Sequence, residues 1–193
     1  MTTSYRLLGS IAATTLGLSI LGVTASARAS AWPARVAETQ QPAIHIPASV
    51  RSEHQEIHAA LVAATKAKGK VGAAARDLAR ILDPHFRREE QIALPPLGLL
   101  APLSRGEFNT QMRDVLPMTD SLRAELPRML EEHKAIHAAT ERMGQAARAQ
   151  NDAKVARLAE QLALHAQSEE EVYYPAAVLV GDLVRARATG ARK

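Results

Sequence analysis

The chain has no cysteine, only six aromatic residues and no run of basic residues. Without thiols there can be no disulfide framework, thiolate zinc site, iron–sulfur cluster or cysteine nucleophile, so any metal chemistry has to use imidazole and carboxylate. The scarcity of aromatics leaves Leu, Ala, Val and Ile to fill a core, which favours helices. The formal charge is +4, but Lys and Arg are scattered singly among acids and form no patch. That argues against a nucleic-acid partner. With 193 residues, 47% hydrophobic and 23% charged, the chain is long enough for one well-buried domain and too apolar to be disordered.

One long uncharged stretch lies at the N-terminus. Residues 1–31 read as a signal peptide: a single early cation, Arg6, then Leu7 to Ala27 without charge, then small residues in an A-x-A pattern at Ala25-Ser26-Ala27. Cleavage is expected after Ala27, with Ala29 and Ala31 as neighbouring alternatives. No twin Arg is present, so the chain is expected to be exported unfolded, to the periplasm, and to collect any metal there. The alternative is an uncleaved membrane anchor, since the stretch is about long enough to span a bilayer. The small-residue ending argues against it, and no stable membrane insertion is expected once the signal is removed.

Residues 32–48 carry no sustained period and read as an extended lead-in to a domain over 49–187. Four helices are predicted there. The first runs from about Ser49 to Lys68, with Val50, His54, Ile57, Leu61 and Ala64 on one stripe. The second, about Val71 to Leu94, aligns Leu78, Ile81, Leu82, His85, Glu89 and Ile92. Pro95 to Thr119 reads as a long crossover loop with room for one short helical turn. The third helix, about Asp120 to Gln150 with Asp120 as N-cap, aligns Leu126, Met129, Leu130, His133, Ile136, His137, Thr140 and Met143. The fourth, from about Asp152 to Tyr174, aligns Leu158, Leu162, His165, Glu169 and Val172, with a further helical piece after Pro175. Pro84 and Pro127 fall inside predicted helices, where a kink or a restarted segment is expected.

The chain also repeats itself. Glu53-His54-Gln55-Glu56-Ile57-His58-Ala59-Ala60 matches Glu132-His133-Lys134-Ala135-Ile136-His137-Ala138-Ala139 at an offset of 79, and His85, Glu89, Glu90 and Pro95 match His165, Glu169, Glu170 and Pro175 at an offset of 80. Two helix pairs written twice are what an up-down-up-down four-helix bundle with pseudo-two-fold symmetry requires.

Residues four apart share a helix face, so H-x-x-x-H and H-x-x-x-E each aim two donor groups into one volume. His54/His58, His85/Glu89, His133/His137 and His165/Glu169 supply one such pair per helix. Six of the seven histidines belong to this set, leaving out only His45. A single exposed pair of this kind is commonly just solvated. Four of them, on the apolar stripes and at matching offsets, point to a metal, because a buried carboxylate or imidazolium costs several kcal/mol without a partner. Two carboxylates from different helices suit a dinuclear centre, and the donor set suits iron, manganese, zinc or copper. Met129 and Met143 read as core, and Phe86 as packing against its neighbours.

His54, His85-Phe86-x-x-Glu89-Glu90 ending at Pro95, Glu132-His133-x-x-Ile136, and His165-x-x-x-Glu169-Glu170-Glu171-Val172-Tyr173-Tyr174-Pro175 resemble the hemerythrin-like, or HHE cation-binding, domain family over roughly residues 49–180. The resemblance implies an up-down-up-down bundle around a non-haem di-iron centre with bridging carboxylates. It implies His54, His85, Glu89, His133, His165 and Glu169 as ligands, with His137 matching an extra histidine of the oxygen-carrying members. Those members place the second bridge five residues after its histidine, which here selects Glu170. The repeat and the wheel favour Glu169, about 40° from His165 against about 140° for Glu170. His58 duplicates His137 in the first helix, where the oxygen carriers have one ligand; it reads either as a ligand filling an open position or as a hydrogen-bond partner or core histidine. Glu90 and Glu170 read as partners behind the ligands or as solvated. Tyr173, one turn past Glu169, reads as a helix-edge aromatic or as a hydrogen-bond partner of a bridge.

By this likeness the protein binds or reacts with O2, NO or peroxide, in sensing, scavenging or oxidoreductase chemistry rather than bulk oxygen transport. The competing reading is a non-catalytic buffer of iron, zinc or copper, or a metal-stabilised structural bundle. Related iron–sulfur repair proteins carry a Cys-containing segment that this chain lacks. Whether it turns over a substrate, and its oligomeric state, are open from sequence.

Overall fold

The computed structural model describes residues 44–190; the expected signal peptide lies outside them. The domain is an all-α four-helix bundle with no strand among the described residues. Its rods are α1 (Ala48–Ala64), α2 (Gly69–Ile92), a 34-residue helix between Leu116 and Ala149, and a final pair that runs on as one rod. Between the second and third rods, Pro95–Leu99 and Thr110–Val115 form 3₁₀ turns around a short helix, α3 (Leu100–Ser104). The third rod is therefore α4 (Leu116–Ala149). The last rod is α5 (Ala153–Ser168), a π turn (Glu169–Tyr173) and α6 (Tyr174–Gly190).

Short links reverse the chain direction. Left-handed backbone at Gly69 (φ 68°) and Asn151 (φ 56°) makes the α1–α2 and α4–α5 reversals tight, as residues with little or polar side-chain bulk permit. Asp152 caps α5, its side chain accepting from the Val155 N–H at 3.1 Å. The third rod starts four residues earlier than predicted. Pro117 sits in its first turn, where the missing N–H costs nothing, and Asp120 is not the cap but pairs with Arg185. The predicted crossover loop is likewise more ordered than expected. Its apolar residues Leu99, Leu103, Met112 and Val115 pack with Val180 and Val184 of α6 into a small cluster closing that end of the bundle.

Neither internal proline restarts a helix. Both α2 and α4 continue through Pro84 and Pro127. Both prolines lie on the solvent face, as do Arg80 and Arg123 four residues earlier, so the carbonyls deprived of a donor can be solvated.

The core is divided. One cluster holds Ile57, Leu61, Leu78, Leu82, Phe86, Ile136, Met143, Leu158 and Leu162; another holds Val50, Ile92, Leu94, Leu97, Leu122, Met129, Tyr174 and Ala177. Along every rod a histidine lies in sequence between a member of the first cluster and a member of the second. A polar layer therefore crosses the bundle between two apolar ones.

Candidate metal centre

The inward seam of α1 is Val50, His54, Ile57, Leu61 and Ala64, all buried. Its steps are four, three, four, three, the mean advance of 3.5 that keeps a straight face toward neighbouring helices. Met129, His133, Ile136, Thr140 and Met143 repeat the pattern on α4, and Leu78, Leu82, His85, Glu89 and Ile92 on α2. In α2 and α5 the step after the histidine is a four, so Glu89 and Glu169 turn inward. In α1 and α4 it is a three, so the isoleucines turn inward instead. His58 and His137, four residues on, fall off the seam and are exposed. The reading of these two as metal ligands is corrected: the His58 side chain is 53% exposed and faces Asp83 at 3.5 Å, and His137 lines a surface cavity with Glu141 and Glu160.

The other six predicted side chains meet in one place, each no more than 2% exposed. Their donor atoms fall into two groups sharing Glu169: His85, Glu89, His133 and Glu169, and His54, His165 and Glu169. In the first, the Nε2 atoms of His85 and His133 stand 2.8 Å apart, Glu89 Oε1 is 3.2 Å from His85 Nε2, and Glu169 Oε2 is 3.5 Å from His133 Nε2. In the second, Glu169 Oε1 is 2.9 Å from His165 Nε2 and 3.3 Å from His54 Nε2. Glu89 also reaches toward His54, its Oε2 lying 3.9 Å from that Nε2. Both carboxylates thus stand between the two histidine pairs.

Each imidazole turns Nε2 inward and Nδ1 outward, and behind every Nδ1 is a glutamate. His85 Nδ1 meets Glu132 and His133 Nδ1 meets Glu170, each at 2.8 Å; His165 Nδ1 faces Glu53 at 3.2 Å and His54 Nδ1 faces Glu90 at 3.6 Å. The arrangement obeys the repeat. Glu53 and Glu132 each serve a histidine of the other half, whereas Glu90 and Glu170 each serve their own half. At His85 and His133 the glutamate is within hydrogen-bonding reach of Nδ1, and by accepting the Nδ1–H it leaves the Nε2 lone pair aimed at the centre and raises its basicity; at His165 and His54 the glutamate only faces Nδ1. Arg128 pairs with Glu132 and Glu125, and Arg88 with Glu125, extending the scaffold to the surface.

Two features were not legible from residue types alone. Glu53 and Glu132 carried a signal, since each precedes its histidine in both copies of the repeat. The other is Tyr174, 1% exposed, whereas the predicted aromatic, Tyr173, is only partly buried. In an unbroken helix Tyr174 would point about 180° from His165. The π turn acts as a one-residue insertion, bonding Tyr174 N–H to Glu169 O, and it rotates Tyr174 inward. The same turn throws Val172, expected in the core, to 56% exposure.

Burial pulls the imidazoles of His85 and His165 down, but the carboxylates beside them, Glu89 and Glu169 respectively, outweigh it and hold each at about 9. His133 is raised against burial by Glu89 and Glu169. Burial pushes Glu89 up, but His133, His85 and the Tyr174 hydroxyl bring it well below the usual carboxylate range. Burial, with the charges of Glu89 and Glu169, drives the Tyr174 hydroxyl far upward, so it is neutral. Even so, Glu89 Oε2 is buried without a hydrogen-bond partner. A cation satisfies such a carboxylate oxygen and, once the imidazoles give up their protons, the Nε2 lone pairs turned toward it, so the residues fit a metal. Cavities of about 210 Å³, touching His54, His58, Phe86 and Glu90, and about 250 Å³, touching Pro84, His85 and Glu132, approach the two histidine pairs from outside.

No curated protein and no solved structure matches the chain closely enough to register. A family model described as the hemerythrin HHE cation binding domain matches residues 45–177. That span contains all six converging side chains and the four glutamates behind them, and the chain belongs to the hemerythrin HHE cation-binding family.

Proposed function

We propose that this chain is an exported di-iron protein that binds or reacts with O2, NO or peroxide, in sensing, scavenging or oxidoreductase chemistry. The observation that carries the reading is the count of donors at the centre. His85 and His133 would hold one ion and His54 and His165 the other, with Glu89 and Glu169 shared between them. Two imidazoles and carboxylate oxygens on each ion, with positions left over, match the donor pattern of non-haem iron sites that take a small ligand. Iron would supply redox chemistry and an open position. The chain's own residues do the rest: Glu132 and Glu170 fix the ring orientations, and Phe86, stacked on His54 with ring centroids 4.2 Å apart, keeps water from that face. Manganese or zinc suits the same donors. A saturated, unreactive metal store would need His58 as a further imidazole, and His58 lies at the surface against Asp83. Export rests on the N-terminal Arg6, Leu7–Ala27 and A-x-A pattern.

The test is to purify the mature chain, count its metal, and record its visible spectrum before and after exposure to O2, NO and peroxide. A pair of irons per chain and a spectrum altered by at least one reagent are expected. Absence of iron, or bound iron indifferent to all three, would refute the reading.

A further inference from the structure

The repeat is broken at the centre by two side chains. Phe86, stacked on His54 and set edge-on to His165 at 5.7 Å, has Ala166 as its repeat equivalent. Tyr174 has Leu94. The two positions correspond in backbone as well as in number: Leu94 N–H bonds to Glu89 O as Tyr174 N–H bonds to Glu169 O, a five-residue closure following each carboxylate. Both side chains are buried. One half of the centre is therefore closed by hydrocarbon, while the other receives a hydroxyl.

That hydroxyl touches donor atoms, not packing atoms. It donates to Glu89 Oε1 and lies 3.1 Å from His133 Nε2 and 3.5 Å from His85 Nε2. Those three atoms belong to one of the two donor groups. Donors at right angles on an ion with bonds of about 2.1 Å stand about 3 Å apart. The Tyr174 oxygen lies 3.1 Å from His133 Nε2, and His85 Nε2 lies 2.8 Å from His133 Nε2 and 3.2 Å from Glu89 Oε1, whereas Tyr174 oxygen to His85 Nε2 at 3.5 Å and His133 Nε2 to Glu89 Oε1 at 3.8 Å are wider. The hydroxyl donates to one carboxylate, and its oxygen also faces two imidazole nitrogens, which places it where a further metal donor would stand.

We infer that Tyr174 is a further ligand, through its phenol oxygen, to the metal held by His85 and His133, so that the two metal positions are chemically unequal. The inference rests on the metal-centre reading above. On binding, the O–H bond is replaced by an O–metal bond and the proton is released to solvent, as ligand deprotonation on metal binding generally requires. No electron is transferred in that step. The consequence is that one metal position would have an anionic phenol oxygen among its donors and the other, packed against Phe86, would not.

Phenol oxygen bound to ferric iron gives a broad visible charge-transfer absorption, and excitation into it enhances phenolate ring vibrations in the Raman spectrum. The full-length mature protein loaded with iron and oxidised is compared with its Tyr174→Phe variant, which removes only the oxygen, and with Tyr173→Phe. The expected result is a visible band and phenolate modes in the wild type and in Tyr173→Phe, and neither in Tyr174→Phe, while the iron content per chain stays the same in all three. Iron bound in wild type without phenolate modes, or a band that survives Tyr174→Phe, would overturn the ligand assignment alone. No iron bound by the wild type would overturn the metal-centre reading and the assignment with it.

Discussion

The imidazole of His85 sits between two carboxylates, Glu89 before its Nε2 at 3.2 Å and Glu132 behind its Nδ1 at 2.8 Å. The inner carboxylate is itself a donor for which metal and proton compete, while the outer one sets which nitrogen carries hydrogen. Their removal has different consequences. Glu169→Ala is expected to abolish binding of a metal pair, because Glu169 contributes to both donor groups. Glu170→Ala and Glu132→Gln are expected to retain the pair with affinity weakened about 10–100-fold, the usual cost of losing a carboxylate behind a metal-bound imidazole. His58→Ala is expected to change neither. Competition titration against a chelator measures all four, and equal loss at Glu169 and Glu170 would show the wheel argument to be wrong. That argument needed only the position of each glutamate relative to His165. The burial of His54, His85, His133 and His165 was likewise readable, but whether His58 joined them depended on where the four-three stepping of the seam fell.

At the scale of the helix, that stepping explains most of what agreed and the π turn explains most of what did not. The stripe expected on α1 is buried at every position. On the last rod, periodicity extrapolated past Glu169 failed by one residue, at Val172 and Tyr173, because propensity carries no mark of where a π turn enters. Helix contacts also decide the fate of small residues. A Cβ at Gly181 of α6 would lie 2.3 Å from Thr119 Oγ1 and 2.7 Å from Thr119 Cβ on α4. Gly181→Ala gains helix propensity of about 1 kcal/mol, yet overpacking of this kind costs about 1–3 kcal/mol. The variant is expected to be no more stable than wild type and up to about 2 kcal/mol less stable by denaturant titration, with Thr119→Ala in the same chain restoring part of the loss. A gain in stability from Gly181→Ala alone would show that α4 and α6 are not in close contact there.

For the whole molecule, the polar layer between two apolar clusters makes stability depend on what occupies it. In the metal-free chain the imidazoles of His85 and His165 are held at about 9 against an ordinary 6.5. A group whose folded value is raised stabilises fully below its unfolded value and loses that contribution as pH climbs through the folded one. The melting temperature of the chelator-treated protein is therefore expected to fall between about pH 6.5 and 9, while metal affinity rises over the same interval as protons cease to compete. A flat or rising melting profile would contradict the charge assignment. Metal at a free concentration a hundredfold above its dissociation constant is expected to stabilise by about 2.7 kcal/mol, a rise of roughly 5–10 °C in melting temperature for a domain of this size. A scan with and without chelator reads it.

By itself the sequence determined the helical class, the doubled architecture and the donor chemistry of the centre. These follow from local quantities: apolar spacing, an internal repeat, and an inventory in which histidine and glutamate are the only donors at the right separations. Tertiary structure alone decided three things: that His58 and His137 face solvent, that Glu53, Glu90, Glu132 and Glu170 stand behind the rings, and that Tyr174 rather than Tyr173 enters the core. Each depends on the rotation of one helix against another or on a single inserted residue. Such rotations are set by how the packed seams and the end cap fit together, and a one-dimensional period contains no record of them.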